Sequence, residues 1–426
     1  MTSPLLDIDL DLTDAEQRWL RGEDGPAMQL AMRLIASAAQ VSGATELVAV
    51  DMAHLNSTHY SGRMSLDFAE FLLEHRVSFA VPTHSNSSLI SCSSPAFRPQ
   101  SESPDEVAGA ERVMWIYEEL GCSAMWSCAP YQQPDGRPSL GQHVIGSESN
   151  AVGFVNSVLG ARTNKYGDML DVAGALVGRV PLTGLHTTEG RRGNHIFDVT
   201  ALPAELLTDP TFPHLLGIVL GREVGAGVPV VVGLQDALLS EDDLKAIAAA
   251  AASAGGVGLF HIVGITPEAD SLDSATQGVA APVRTTVTTE MLSAAEQRLS
   301  SAGVGDPVRA VCVGTPHFSV DECLETLRLL DGRHVHANVS FIITTSRAVW
   351  SELELRGVAA QFDNAGVDVV LDTCSYFTPR PAPLTGTTLT NSAKWAYYAQ
   401  GILDIPIGFA SIEGCVESAI AGAWQR

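Results

Sequence analysis

Short apolar runs separated by amphipathic or polar stretches set the framework of this chain. Strand-like runs lie at Glu46 to Val50, Val77 to Val81, Val228 to Val232, Val257 to Ile265, Val308 to Val313, Val339 to Thr344 and Val367 to Leu371. Helical pattern between them, as around Ala27 to Ala39, predicts an α/β architecture. Ser240 and Asp243 form a capping-box-like start to a further helix. The uncharged run Ala246 to Thr266 approaches transmembrane length, but Ser253-Ala-Gly-Gly256 divides it into an Ala-rich helix and a short strand. The Pro/Ser-rich stretch Ser93 to Pro104 reads as an exposed loop or flap.

In open α/β sheets, ligands bind beyond the carboxyl ends of the strands. Three polar loops occupy such positions: Pro82 to Ser88, Gly314 to Ser319, and Asp372-Thr-Cys374. Their convergence on one pocket is expected.

The densest polar segment is Gly146 to Asn164, which holds Glu148, Ser149, Asn150, Asn156, Ser157, Arg162, Thr163 and Asn164. Asn150, Ser157 and Asn164 recur every seven residues with Val152, Val155, Val158 and Leu159 between them. A helix would therefore carry a polar stripe beside an apolar face. Lys and Glu would be the usual residues of a solvated face, so Asn and Ser favour a site wall, although such clusters also serve as caps and turns. Arg162 supplies a fork of donors suited to a carboxylate or phosphate.

Composition narrows the partners. The chain has 426 residues, 46% of them hydrophobic, and 49 acidic against 25 basic side chains give a net charge of −24. That excess disfavours nucleic acid and anionic membranes and favours a small molecule or another protein. The start of the chain lacks a basic segment followed by an apolar one, so a cytoplasmic location is expected. Seven scattered cysteines without a CxxC pair predict reduced, mostly buried thiols, and any metal site must be assembled from distant segments.

The Glu148-Ser-Asn-Ala…Asn156-Ser…Leu159-Gly-Ala-Arg-Thr-Asn164 run resembles a signature of the aconitase X family. Val81-Pro-Thr-His-Ser-Asn86, Ser127-Cys-Ala-Pro-Tyr131, Thr315-Pro-His-Phe-Ser319, Asp372-Thr-Cys374 and Thr390-Asn-Ser-Ala-Lys394 are similar to other segments of that family. The resemblance runs from about residue 25 to the C-terminus and leaves residues 1–24 as an acidic N-terminal segment. It implies a multi-layer aconitase-like α/β catalytic unit, with mostly parallel sheets, spanning residues 1–426. The implied activity is a lyase of dehydratase type, acting on a small anionic hydroxy acid or imino acid such as cis-3-hydroxy-L-proline or mevalonate 5-phosphate.

The family's iron–sulfur cluster is held by cysteines at positions that read here Cys128, Thr315 and Cys374. A threonine hydroxyl is hard and barely acidic, whereas clusters take soft thiolates. The alternative is a cluster-free relative carrying out an isomerisation, cyclisation or other acid–base reaction. Acid–base candidates in the family-like segments are His84, His54, Glu148, His317 and Lys394. Thr83, Asn86, Asn391 and Ser392 join the 146–164 residues as substrate-binding candidates. Tyr397 stands where the family usually has histidine. The family's small swivelling domain, fused or a separate subunit, has no counterpart after Trp424, which points to a separate small subunit or a self-sufficient chain. Outside enzymes, a regulatory or scaffolding subunit is the rival, and the retained Arg162, Glu148 and His317 argue against it.

Overall fold

The computed structural model describes residues 10–93, 104–280, 283–375 and 386–425. Among them, three sheets are wholly parallel. The largest has the strand order Val367–Leu371, Ser340–Thr345, Val308–Phe318, Thr387–Thr390, Ile407–Phe409. A three-stranded sheet orders Thr83–Ser85, Met52–Leu55 and Val144–Gly146. The third orders His261–Ile262, Pro229–Val232, His195–Asp198 and Val283–Thr286. A small antiparallel pair joins Leu47–Ala49 to Arg179–Pro181. Val/Ile-rich strands with buried central residues are what parallel sheets covered by helices require.

The site-bearing strand Val308–Phe318 is buried from Ala310 onward. Gly314 within it has φ +89°, and a Cβ there would lie 2.1 Å from the Thr344 carbonyl oxygen. Only glycine fits a left-handed residue this close to the neighbouring strand. It re-aims the chain just before Thr315.

The Ala-rich run folds as the helix Glu241–Gly255, capped at Ser240 by the expected box with Asp243. It packs on the helix Phe212–Val224, where a Cβ at Gly217 would come within 2.6 Å of the Ala250 Cβ. Small residues on both helices bury this face within the protein. No described helix is long and apolar enough to cross a membrane.

Two strand expectations are corrected. Val77 to Val81 is not a strand: the Ala80 N–H donates to the Ala175 carbonyl at the end of a helix, and pairing with Met52–Leu55 begins only at Thr83. Val77, Phe79 and Val81 pack half-buried against a hydrophobic cluster instead. Within Val257 to Ile265 only His261 and Ile262 pair as a strand. The acidic N-terminal segment includes the helix Asp14–Arg21, capped by Thr13 and Glu16, while residues 1–9 lie outside the described residues. So do residues 94–103 of the expected flap.

Candidate active site

A cavity of about 340 Å³ opens where two parallel sheets present their strand ends. From the three-stranded sheet come Asn56 after Leu55, Asn86 and Ser87 after Ser85, and Ser147, Glu148 and Ser149 after Gly146. From the five-stranded sheet come Cys374 after Leu371 and Lys394 after Thr390. Cys128, Lys165, Tyr398 and Ile402 complete the lining.

Glu148 and Lys394 form an ion pair across this wall, with side chains 8% and 3% exposed. Glu148 is also the N-cap of the helix Ser149–Ser157, where its carboxylate accepts the Ala151 N–H at 2.8 Å. Burial alone would raise its carboxyl, but the charge and hydrogen bond of Lys394, with the Ala151 N–H, outweigh it and hold the group below its ordinary value. Lys394 lies in the first turn of the helix Ala393–Ile402, which Ser392 caps through a 3.0 Å bond from the Trp395 N–H. The Ser392 hydroxyl also donates to the Thr315 carbonyl, which ties the two segments together.

At the floor, one ligand atom from each of Cys128, His317 and Cys374 lies within 4.8 Å of the others, all buried. Thr315 Oγ1 is 3.6 Å from Cys374 Sγ, and the His317 N–H donates to Cys128 Sγ at 3.3 Å. Burial pushes the Cys128 thiol well up, while a hydrogen bond with Cys128 draws Cys374 down. Cys128, His317 and Cys374 are a set that could hold a metal ion. A cluster needing three thiolates does not fit, because the third position offers only the Thr315 hydroxyl. The His317 ring is committed as well: Nδ1 is 3.1 Å from Ser127 Oγ and Nε2 is 2.9 Å from the Thr373 carbonyl. Neither Cys312 nor Cys92 lines the cavity.

Much of the 146–164 signature is placed elsewhere. The helix ends at Ser157, so the seven-residue recurrence does not form one stripe. Asn150 accepts from Tyr131 and donates to the Cys128 carbonyl at 2.8 Å, supporting that cysteine from behind. Asn156 bonds the Thr163 backbone on both sides and the Gly258 carbonyl, and Ser157 accepts the Phe260 N–H. Thr163 accepts the Gly146 N–H, and Asn164 bonds Thr183 and Leu185. Arg162 turns to the His186 carbonyl and Thr188, outside the cavity. Backbone groups that leave the helix early need partners, and these side chains supply them.

Of the other candidates, Thr83 bonds the Val81 carbonyl and does not line the cavity. Asn86 does, donating to Asn56 at 2.8 Å. His84 sits on a strand rather than in a loop, opposite His54. Both rings have a buried Nδ1 without a partner. Burial lowers the His54 ring to about 4, so it is neutral near pH 7. Asn391 lines a neighbouring cleft.

Ser87 belongs to the expected Pro82 to Ser88 loop, whereas sequence reasoning did not single out Asn56, Ser147, Lys165, Tyr398 or Ile402. Lys394, Tyr398 and Ile402 are spaced i, i+4, i+8 on one helix, a periodicity that could have found the last two. Asn56 and Ser147 are held by Asp171, a fully buried carboxylate that carried no sequence signal. It accepts from the Asn56 and Ser57 N–H groups at 2.9 and 3.1 Å, and from the Ser57 and Ser147 hydroxyls at 2.5 and 2.9 Å. Asp171→Ala strands these donors, so unfolding in urea should show a loss on the order of 3 kcal/mol. A loss below about 0.5 kcal/mol, the size of an ordinary surface change, would mean that the loops do not depend on it.

Residues 9–189, 193–297 and 308–421 match, in order, the family models described as the aconitase X first, second and third domains. The chain belongs to the aconitase X family. It is 38% identical over 410 residues to a cis-3-hydroxy-L-proline dehydratase of Pseudomonas aeruginosa, covering 96% of this chain and 69% of that protein. A Hypocrea jecorina protein of the same name is 36% identical over 99% of this chain and 71% of its own length. A phosphomevalonate dehydratase large subunit of Thermococcus kodakarensis is 29% identical, covering 91% and 94% respectively. The crystal structure of Thermococcus kodakaraensis aconitase X in its holo-form matches with a TM-score of 0.84 and 26% identity, over 96% of this chain and 100% of that one. This aconitase X chain is thus an enzyme of a dehydratase family with an α/β fold.

Proposed function

We propose that the chain removes water from a small imino or amino acid bearing a hydroxyl on the carbon next to Cα, with cis-3-hydroxy-L-proline as the leading substrate. The observation that carries this reading is the buried Glu148–Lys394 pair on the wall of a 340 Å³ cavity, a size suited to one small ring. In the cis isomer the hydroxyl and the carboxylate share one face of the ring. That face meets the wall: Lys394 gives its proton to the departing hydroxyl, and Glu148 keeps the ammonium charged and aimed. The carboxylate goes to Lys165 and to the positive end of the Ser149–Ser157 helix, whose first residue, Ser149, lines the cavity.

The α-proton then points away from the wall, toward the mouth beside exposed Lys165 and Ile402. A base reaching over the mouth from a separate small subunit completes the elimination, a reading supported by relatives that are named large subunits. The Cα–H and C3–O bonds break, a carbon–carbon double bond forms, and the enamine tautomerises to a cyclic imine. No cluster held by three thiolates is needed for these steps. Cysteines that form no disulfide among the described residues suit a reducing compartment, and the protein is read as working in the cytoplasm.

Calorimetry tests the first step. The chain should bind cis-3-hydroxy-L-proline at least about tenfold more tightly than the trans isomer, because only the cis form presents both polar groups to one wall. Equal affinity for the two, or tighter binding of mevalonate 5-phosphate, would overturn the substrate reading.

A further inference from the structure

Behind the catalytic floor, the His317 carbonyl oxygen is the meeting point of three segments of the chain. Gln132 Nε2, from the first family segment, donates to it at 3.1 Å. Lys245 Nζ, from the second, approaches it at 3.4 Å. His317 itself belongs to the third. Lys245 is only 3% exposed and lies on the helix Glu241–Gly255, where its ammonium is held by Asp242 at 2.8 Å and by Glu322. The two carboxylates are in turn fixed from the His317 side: the Ser319 hydroxyl donates to Asp242 at 2.7 Å, and the Ser319 N–H donates to Glu322 at 2.7 Å.

We propose that Lys245 is a positioning residue of the active site: through the His317 carbonyl and the Asp242–Ser319–Glu322 bonds, it sets the 315–319 segment against Cys128 and Cys374. A buried lysine serving only to join two helices would need one carboxylate and no carbonyl. Here the ammonium, its two carboxylates and the amide of Gln132 all converge on the one turn that carries Thr315 and His317. On the opposite side of that turn, the His317 N–H reaches Cys128 Sγ, Thr315 Oγ1 reaches Cys374 Sγ, and the Thr315 carbonyl receives the Ser392 hydroxyl. A displacement of the turn is therefore felt directly at both sulfurs, and displacements near 1 Å are large on the scale of catalysis. The inference rests on the proposed function only in taking the Cys128–Cys374 floor as part of the reacting site.

The test is alkylation of the free chain by iodoacetamide at one fixed pH, with the labelled cysteines identified by mass spectrometry. Substrate is not needed, so the result stands whether or not cis-3-hydroxy-L-proline is turned over. In Lys245→Met the labelling rates at Cys128 and Cys374 should change by at least about fivefold, while Lys245→Arg returns them to within about twofold of wild type. Cys122 and Cys415, buried in other parts of the protein, should stay as protected as in wild type. Unchanged labelling at Cys128 and Cys374 would overturn the proposal. So would an increase shared by Cys122 and Cys415, since that is general loosening from a lost ion pair. If Lys245→Met does not fold, Gln132→Leu removes the other donor to the same carbonyl and is read by the same criteria.

Discussion

If the proposed function holds, Lys394→Met is expected to lower dehydration of cis-3-hydroxy-L-proline by about 10³-fold, the usual scale of general-acid catalysis. The same change leaves Glu148 as an uncompensated buried carboxylate, which should cost about 3–5 kcal/mol in urea unfolding. Adding Glu148→Gln removes the stranded charge, so the double variant should recover much of the stability and none of the rate. Proton NMR of the product gives the rate. A single variant that keeps more than about a tenth of wild-type turnover would sink the assignment of Lys394 as proton donor.

The pair also gives acid sensitivity a definite sign. Glu148 has a folded-state carboxyl below its unfolded value, so its contribution to stability is fully present above the ordinary carboxylate range of about pH 4.3 and disappears as pH falls through the lowered folded value. In the Lys394→Met variant the two largest downward pulls are gone, and burial, opposed by the Ala151 N–H bond and the smaller pull of His54, shifts the carboxyl upward from its wild-type position. Acid unfolding of that variant should show a smaller loss of stability from Glu148 as pH falls through the carboxylate range than wild type does.

Thr315→Cys carries the other large expected effect. It places a third soft ligand beside Cys128 and Cys374, whose ligand atoms are already within 4.8 Å of one another. Anaerobic reconstitution with iron and sulfide should give this variant at least about a fivefold greater iron and sulfide content than wild type, with a new visible absorption. Wild-type turnover should persist in strong iron chelators. A wild type that takes up a full complement of iron and sulfide, and loses activity on chelation, would overturn the reading that this site works without a three-thiolate cluster.

Long apolar runs made three strands of the five-stranded sheet legible, while Thr387–Thr390 and Ile407–Phe409 carried no such run. Val308 to Val313, Val339 to Thr344 and Val367 to Leu371 lie within one residue of observed strand starts, because buried parallel strands need uninterrupted branched residues. The three-stranded sheet was much less so. Its strands have three or four residues, and Thr83–Ser85 is polar throughout, so neither length nor alternation marks it. Asn56 and Ser147 at its ends were missed for that reason. Glu148 and Lys394 were recognisable as candidates from their segments, but their pairing was not, since nothing local connects them.

The signature pointed to the right family, and much of its polarity has a structural reason. Asn156, Thr163 and Asn164 are polar because a short helix gives way to irregular backbone that must be bonded inside the protein. Polarity under burial marks a need for hydrogen bonds, whether or not a ligand supplies them. Arg162 was expected at the substrate for its chemistry alone, and its guanidinium instead closes onto the His186 carbonyl.

Glu148 and Lys394 are separated by 246 residues of sequence. Contacts of such separation form only after the intervening chain has been ordered, and topologies rich in them fold slowly. The wall built by Glu148 and Lys394 is therefore expected among the last features to assemble, because each sheet supplies only one partner of the pair. Cys128 comes from the first family segment and Cys374 from the third, so the two sulfurs meet, and shelter one another, only once both ends of the chain are in place.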